Sequence, residues 1–163
     1  MATIDDALRS QVLHEFALPD HEGRIPRRRL LLASALFDWV DETDELYETH
    51  WDKAWGGRTR FEHLQQTLAD FRCDERVLVG ELNRVVPTKR GVWKIHSPGL
   101  RLFGWVPSVH EFVAVGAALA ADVHGPNSAV KIHVQQVLTF ARTHRLEGTI
   151  KMGDRRALFP PPN

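Results

Sequence analysis

The sequence predicts an α+β domain in which helices come first, a small antiparallel sheet follows, and one helix closes the fold. Two changes of pattern predict this order. Up to about residue 73, apolar residues recur every three or four positions, as on one side of a helix. From Val77 the chain has short runs rich in β-branched and aromatic residues, bounded by Pro or Gly. Helices should cover one face of the sheet, leaving the other face or the rim for basic side chains.

Three helices are predicted before the sheet. The first spans residues 3–17, where apolar residues recur every four positions (Ile4, Leu8, Val12 and Phe16). The second runs from about Arg27 to Tyr47. In the third, Thr59 and Glu62 form a T-x-x-E capping box ahead of an apolar stripe that ends near Cys73.

The sheet is predicted from four runs, VLVGEL, GVWKIH, LRLFGWV and EFVAVGA. Ser97-Pro98-Gly99 should join the second and third in a hairpin. The continuation AALAADVH fits either a strand or a helix, and Asn127 or Ser128 can cap the closing helix. Three segments follow: an acidic helical extension (1–55), an α+β domain (56–150) and an extended, partly mobile tail (151–163).

Composition favours a cytoplasmic protein. No apolar run approaches the roughly 20 residues of a membrane helix, because the longest, FVAVGAALAA, is half that length. The first ten residues start acidic and lack the apolar region of a secretory signal. Cys73 is the only cysteine, so an internal disulfide is excluded.

The net charge of zero hides an asymmetry between the two halves. Residues 82–163 hold eleven Lys or Arg against four Asp or Glu, a balance of +7, so residues 1–81 carry −7. The run DWVDETDELYETHWD has seven carboxylates and no Lys or Arg, whereas residues 82–110 contain no acid. Either the second half binds a polyanion or the two halves attract each other in the fold, and both can hold together.

Common enzyme motifs do not occur in the sequence. HEFAL at His14 and HEFVA at His110 lack the second histidine of H-E-x-x-H, and there is no P-loop, G-x-G-x-x-G or G-x-S-x-G. We therefore expect no metal and no cofactor. Cys73 fits a partly buried bystander better than a nucleophile.

The run LRLFGWV carries the main candidate site. Because side chains alternate along a strand, Arg101, Phe103 and Trp105 share one face, while Leu100 and Leu102 take the other. An arginine beside two aromatic rings is a combination that RNA-binding surfaces use. The same pattern also fits core aromatics beside an arginine that pairs with an acid from the helices, so both interpretations stay open.

The segment from Thr59 to Thr143 resembles the RelE/HigB toxins of bacterial toxin–antitoxin systems. GVWKIHSPG, LRLFGWV and HEFVAVGAAL match the three strands of that family in order, and HGPNSAVKIHVQQVLTFAR matches its linker and closing helix. The resemblance implies a domain that cuts mRNA on the ribosome without a metal, and a cognate antitoxin as partner. It assigns the catalytic roles to Arg101, His124, Lys131 and His133. The residues expected to bind RNA are Arg84, Lys89, Arg90, Lys94, Phe103 and Trp105.

The sequence also departs from the family. The lysine pair that usually follows the third strand is replaced by AALAADVH, and about 55 N-terminal residues have no counterpart. These departures favour a second hypothesis, a binding protein that keeps the fold without the chemistry. The acidic run from Asp38 to Asp52 is either a solvated helix face or a phosphate mimic that folds over the basic sheet.

Overall fold

The computed structural model of the protein describes residues 1–17, 25–49, 57–73, 85–124 and 129–160. Within these ranges the fold is α+β, as predicted. The helices are α1 (Ile4–Arg9), α2 (Ser34–Glu42), α3 (Arg60–Cys73), α4 (Ala120–Val123), α5 (Val130–Thr143) and α6 (Arg155–Leu158), with 3₁₀ turns at Asp44–Tyr47 and Glu147–Thr149. The strands are β1 (Leu13–Glu15), β2 (Arg29–Ala33), β3 (Val85–Pro87), β4 (Val92–Ser97), β5 (Leu100–Trp105) and β6 (Glu111–Leu119).

The strands form one mixed sheet in the order β1-β2-β6-β5-β4-β3. Strands β4 to β6 make the antiparallel meander predicted for their runs, and β3, which was not predicted, pairs antiparallel with β4. Strand β2 pairs with β6 in parallel. Of the four predicted runs, GVWKIH, LRLFGWV and EFVAVGA match β4, β5 and β6, while VLVGEL lies outside the described residues. The ambiguous AALAADVH is a strand as far as Leu119 and then the short helix α4.

The N-terminal region differs from the prediction. Residues 3–17 contain a helix only from Ile4 to Arg9, followed by β1, and the region 27–47 begins with β2. Because β1 and β2 belong to the main sheet, the expected boundary near residue 55 does not set off a helical extension. The run LLLA that follows Arg29 in β2 is continuously apolar because a strand inside the sheet, paired in parallel with β6, is buried on both faces.

Helices cover both faces of the sheet, so the expectation of one open face is wrong. On the first face, α3 and α6 pack over a core that contains Leu102, Phe112 and Phe71. On the second face, α1 and α5 pack over Phe103, Trp105 and their neighbours. The alternation predicted for β5 is confirmed, since Leu100 and Leu102 belong to the first core.

Three local features complete the comparison with the sequence. The capping box of α3 is confirmed, because the Thr59 amide donates to Glu62 Oε2 at 2.8 Å and the Glu62 amide donates to Thr59 Oγ1 at 3.1 Å. The tail is not extended throughout. Asp154 caps α6 by accepting from the Ala157 amide at 2.9 Å, and Phe159 is buried. The residues predicted to cap α5 lie outside the described ranges.

Two glycines of the central strands give opposite predictions for alanine substitution. A Cβ on Gly104 would lie 1.8 Å from the Val113 carbonyl oxygen, whereas a Cβ on Gly116 would meet nothing within 4 Å. Gly104→Ala should therefore destabilise the protein by about 2 kcal/mol or more, because backbone must move. Gly116→Ala should be neutral or slightly stabilising, because glycine is unfavourable in a strand.

Thermal unfolding of the two variants tests this pair. Equal melting temperatures for Gly104→Ala and Gly116→Ala would contradict the close approach of β5 and β6 at the bulge between Phe103 and Gly104.

Candidate nucleic-acid interface

The β4–β5 hairpin positions the centre of the site. Pro98 and Gly99 form its two-residue turn, and Gly99 has φ +72°, the left-handed conformation that a type II turn requires at this position. The hairpin predicted from Ser97-Pro98-Gly99 is thus confirmed. Its register places His96 directly opposite Arg101 and Lys94 opposite Phe103. Cross-strand partners share a face, so Lys94, His96 and Arg101 lie together on the α5 side of the sheet.

Arg101 is partly buried and is held by main-chain carbonyls. Its Nη1 donates to the Ser97 oxygen at 3.2 Å and to the Leu100 oxygen at 2.6 Å. Its Nη2 lies 2.8 Å from Nε2 of His124, which follows α4. Because arginine can only donate, Nε2 of His124 accepts this bond, and the proton of the neutral imidazole is on Nδ1. The guanidinium is fixed in place while its outer edge stays beside an exposed histidine.

Burial lowers the pKa values of all three groups, and the charges of neighbouring residues contribute for His96 and Lys94. Burial, followed by the charges of Arg101, Lys94 and His124, lowers the pKa of His96 to about 4. Burial and the charge of Arg101 lower the pKa of Lys94, and burial lowers the pKa of Arg101. His96 is therefore neutral at pH 7, and Lys94 releases a proton more readily than an ordinary lysine.

Further cations line a groove of about 910 Å³ between the β3–β4 turn and α5. Lys89 and Arg90 come from the turn, Lys94 from β4 and Lys131 from the first turn of α5. Arg90 has φ +56°, a strained conformation for a residue with a side chain. Together with Arg101 these four residues are called the basic cluster. They were assigned to separate roles in the sequence. The structure brings Lys89, Arg90, Lys94 and Lys131 to one groove, while Arg101 lies further along the α5 side of the sheet, beside the β4–β5 turn.

The basic cluster has no carboxylate partner among the described residues. None of its five members forms a salt bridge there, whereas Arg9, Arg29, Arg60 and Arg72 each pair with a carboxylate. Arg29, for example, lies 3.1 Å from Glu111 and 3.3 Å from Glu15. No acid of the described helices pairs with Arg101, whose Nη1 donates instead to main-chain carbonyls. Five uncompensated cations on one surface produce a strong positive potential, which is typical of a polyanion site.

The acidic run does not cover this surface in its described part. Glu48 pairs with Arg60 of α3 at 3.9 Å, and none of the described acids from Asp38 to Glu48 forms a salt bridge with the basic cluster. Asp52 lies outside the described residues. The described part of the run thus fits a solvated face better than a phosphate mimic.

Two of the residues expected to stack on RNA bases are buried. The side chains of Phe103 and Trp105 are 0% exposed, because Val134, Val137 and Ala141 of α5 pack in the same core. The Trp105 Nε1 donates to Thr149 Oγ1 at 3.0 Å, so its polar atom is satisfied inside the fold. The prediction that these rings bind bases is wrong, and their alternative role in the core is confirmed.

The remaining predicted residues fall into two groups. His133 stacks on Phe103 with ring centroids 4.7 Å apart, and its Nδ1 lies 2.9 Å from Gln136 Oε1. It forms no hydrogen bond to Arg101 or His124, so the structure does not join it to their pair. Arg84 lies outside the described residues.

His96 was missed in the sequence analysis, although a signal was there. A two-residue turn at Pro98-Gly99 fixes Ser97 opposite Leu100, and the next pair outward is His96 and Arg101. The predicted hairpin therefore already implied that His96 lies opposite Arg101.

No family model matches the chain, and neither a curated protein nor a solved structure matches it. Across the described ranges, no helix has the length and apolar character needed to cross a membrane. The same part of the chain shows no group of three or more His, Cys, Asp or Glu that could hold a metal ion.

The lowered pKa of His96 predicts acid sensitivity. Folding holds this pKa at about 4, below its ordinary value of 6.5, so the unfolded chain binds the proton more readily between these values. The free energy of unfolding should keep its full value above pH 6.5. It should fall by about 1–2 kcal/mol towards pH 4, after allowing for solvent screening. His96→Gln should remove this part of the pH dependence.

Denaturant unfolding at pH 7.5 and pH 4.5, for the wild type and His96→Gln, measures the effect. The same loss of stability in both proteins would show that the fold does not disfavour the charged form of His96.

Proposed function

We propose that the protein is a toxin-like endoribonuclease that cuts mRNA in the cytoplasm without a metal ion, either alone or on the ribosome. The observation that carries the proposal is the basic cluster, which has no carboxylate partner among the described residues and lies beside two histidines. RNA presents a row of phosphates, and the cost of holding like charges together falls when they bind such a polyanion. The resemblance to RelE/HigB toxins supports the same conclusion independently.

The chemistry requires a cation, a base and an acid. Arg101 would hold the scissile phosphate and stabilise the charge that develops on it. Nη2 of Arg101 then bonds phosphate oxygen in place of His124, so that Nε2 of His124 can accept the proton of the 2′-hydroxyl. The 2′-oxygen forms a bond to phosphorus as the bond from phosphorus to the 5′-oxygen breaks. Lys94 gives its proton to the leaving oxygen, and the products are a 2′,3′-cyclic phosphate and a 5′-hydroxyl.

In this assignment, lysines from other segments replace the lysine pair that the sequence lacks after its third strand. Lys94 reaches the same face from β4, and Lys131 approaches from the start of α5. Positive charge that RelE/HigB toxins carry on one segment would here come from β4 and α5. The resemblance also implies a protein antitoxin as partner.

A second function, RNA binding without cleavage, is favoured by one observation. The Nη1 of Arg101 already donates to two main-chain carbonyls of the hairpin, which is a structural role. In that case the basic cluster would still bind phosphates, but His124 would have no effect on them.

Substitutions at Arg101 and His124 separate these functions. With purified protein and RNA, tested with and without ribosomes, Arg101→Ala should lower cleavage by about 100-fold or more and weaken binding. His124→Gln should lower cleavage by about 100-fold and leave binding nearly unchanged. Arg142→Ala, which removes an exposed charge at the other end of α5, is the matched control and should behave as wild type.

Intact RNA after incubation with wild-type protein, together with a salt-sensitive complex, would instead establish the binding function. In bacteria, the wild type should arrest growth and Arg101→Ala should relieve the arrest. Equal toxicity of the two forms would show that Arg101 has no catalytic role.

Arg90 allows function to be tested apart from folding. Asparagine adopts positive φ more readily than arginine, so Arg90→Asn should keep or raise the melting temperature. The same variant loses one phosphate-binding charge and should bind single-stranded RNA several-fold more weakly at low salt. Thermal unfolding and RNA binding measured on one preparation check both outcomes. Unchanged affinity would place Arg90 outside the interface.

A further inference from the structure

A second cavity, of about 440 Å³, opens on the other flank of α5 from the basic groove. Its floor is formed by β5 and β6, and α2 and α5 form its sides. Trp39 lines it from α2 and Phe140 from α5, and both rings are partly buried. His133 and Gln136 supply its polar side chains. The volume and the aromatic lining suit a flat ring with polar edges.

Gly116 in the floor lies beside the bulge between β5 and β6, and the space above it is open. Its φ lies outside the left-handed region, and a Cβ at this position would meet nothing within 4 Å. Gly104, one strand away, is required because Val113 approaches it closely. A glycine inside a strand marks a bulge or a place where a ligand approaches the backbone. The open space above Gly116 leaves its backbone accessible from the cavity.

The polar side chains at the edge of the cavity, Gln136 and His133, can form hydrogen bonds with a ligand. The Gln136 Oε1 accepts from His133 Nδ1 at 2.9 Å, which leaves the Gln136 amide group as a donor. The other imidazole nitrogen is then an acceptor. Burial lowers the pKa of His133, so the ring stays neutral at pH 7. A donor and an acceptor next to each other match the hydrogen-bonding edge of a nucleobase.

Arg101 lies on β5, between the strand that contributes Lys94 to the basic groove and the strand that carries Gly116. Strand β5 pairs with β4, which carries Lys94 and His96, and on its other side with β6, which carries Gly116. Phe103 lines the cavity two residues along β5 from Arg101, roughly 7 Å away. A base next to a phosphate on Arg101 is therefore within reach of the cavity.

We propose that the cavity between α2 and α5 binds one nucleobase of the RNA whose phosphate is held by Arg101. The ring stacks against Trp39 or Phe140 above Gly116, and Gln136 and His133 contact its edge. The inference rests on the proposed RNA-binding function. It assigns the aromatic contact to residues other than the buried Phe103 and Trp105, and it makes α2, a helix outside the family resemblance, part of the interface.

The test compares RNA with and without a base. Fluorescently labelled single-stranded RNA and the same strand with one abasic nucleotide at each successive position are titrated against wild type and Gly116→Val, whose side chain fills the floor of the cavity. At one register the abasic strand should bind wild type about tenfold more weakly than intact RNA. Gly116→Val should bind both strands equally, at the weaker affinity. Nucleoside monophosphates, titrated in parallel, show whether a free nucleotide is also bound.

Gln136→Ala provides a second variant, because its position on the exposed surface of α5 keeps the fold intact. It should lower the preference for intact over abasic RNA, whereas Gln65→Ala, an exposed glutamine on α3, should not. Full discrimination by Gly116→Val and Gln136→Ala would overturn the base pocket. If wild type and Arg101→Ala bind RNA equally weakly, the proposed function itself fails. RNA binding that depends on Arg101 but not on the missing base overturns the pocket alone.

Discussion

The packing of α5 across β5 is the constraint on which the rest of the site depends. This contact buries Phe103 and Trp105 completely, whereas Arg101 of the same strand is only partly buried. One strand therefore contributes both to the core and to the charged rim. The large aromatic area buried under the helix stabilises the β4–β5 hairpin, and the hairpin carbonyls in turn hold the guanidinium. Placement of the cation thus follows from packing of the core.

The cations of the protein differ in whether carboxylates lie beside them. Arg29 lies among Asp5, Glu15 and Glu111 at the β1–β2 side of the fold, whereas the basic cluster has no such partners among the described residues. Burial, followed by repulsion from neighbouring charges, lowers the pKa values of His96 and Lys94. A bound phosphate offsets that repulsion, so the cost of the arrangement in the unliganded protein becomes part of the affinity for RNA.

The sequence predicted what local patterns determine and missed what distant contacts determine. Thr59 and Glu62 mark a helix start within four residues, and Pro98-Gly99 fixes a hairpin, so both were predictable. The strand at 29–33 was predicted as helix, because a short apolar run has no period and its partner β6 lies about eighty residues away. Alternation assigned Phe103 to the correct face but gave no information on the helix that covers it. The base pocket could not be predicted, because it requires α2 to lie beside α5.

The salt dependence of RNA binding by the wild-type protein tests the central claim most directly. If all five cations of the basic cluster contact phosphates, the logarithm of the binding constant should fall with the logarithm of salt concentration with a slope of about −3.5 for a single strand. A slope near zero, or no measurable binding at low salt, would contradict the account, because the cluster would then bind no polyanion.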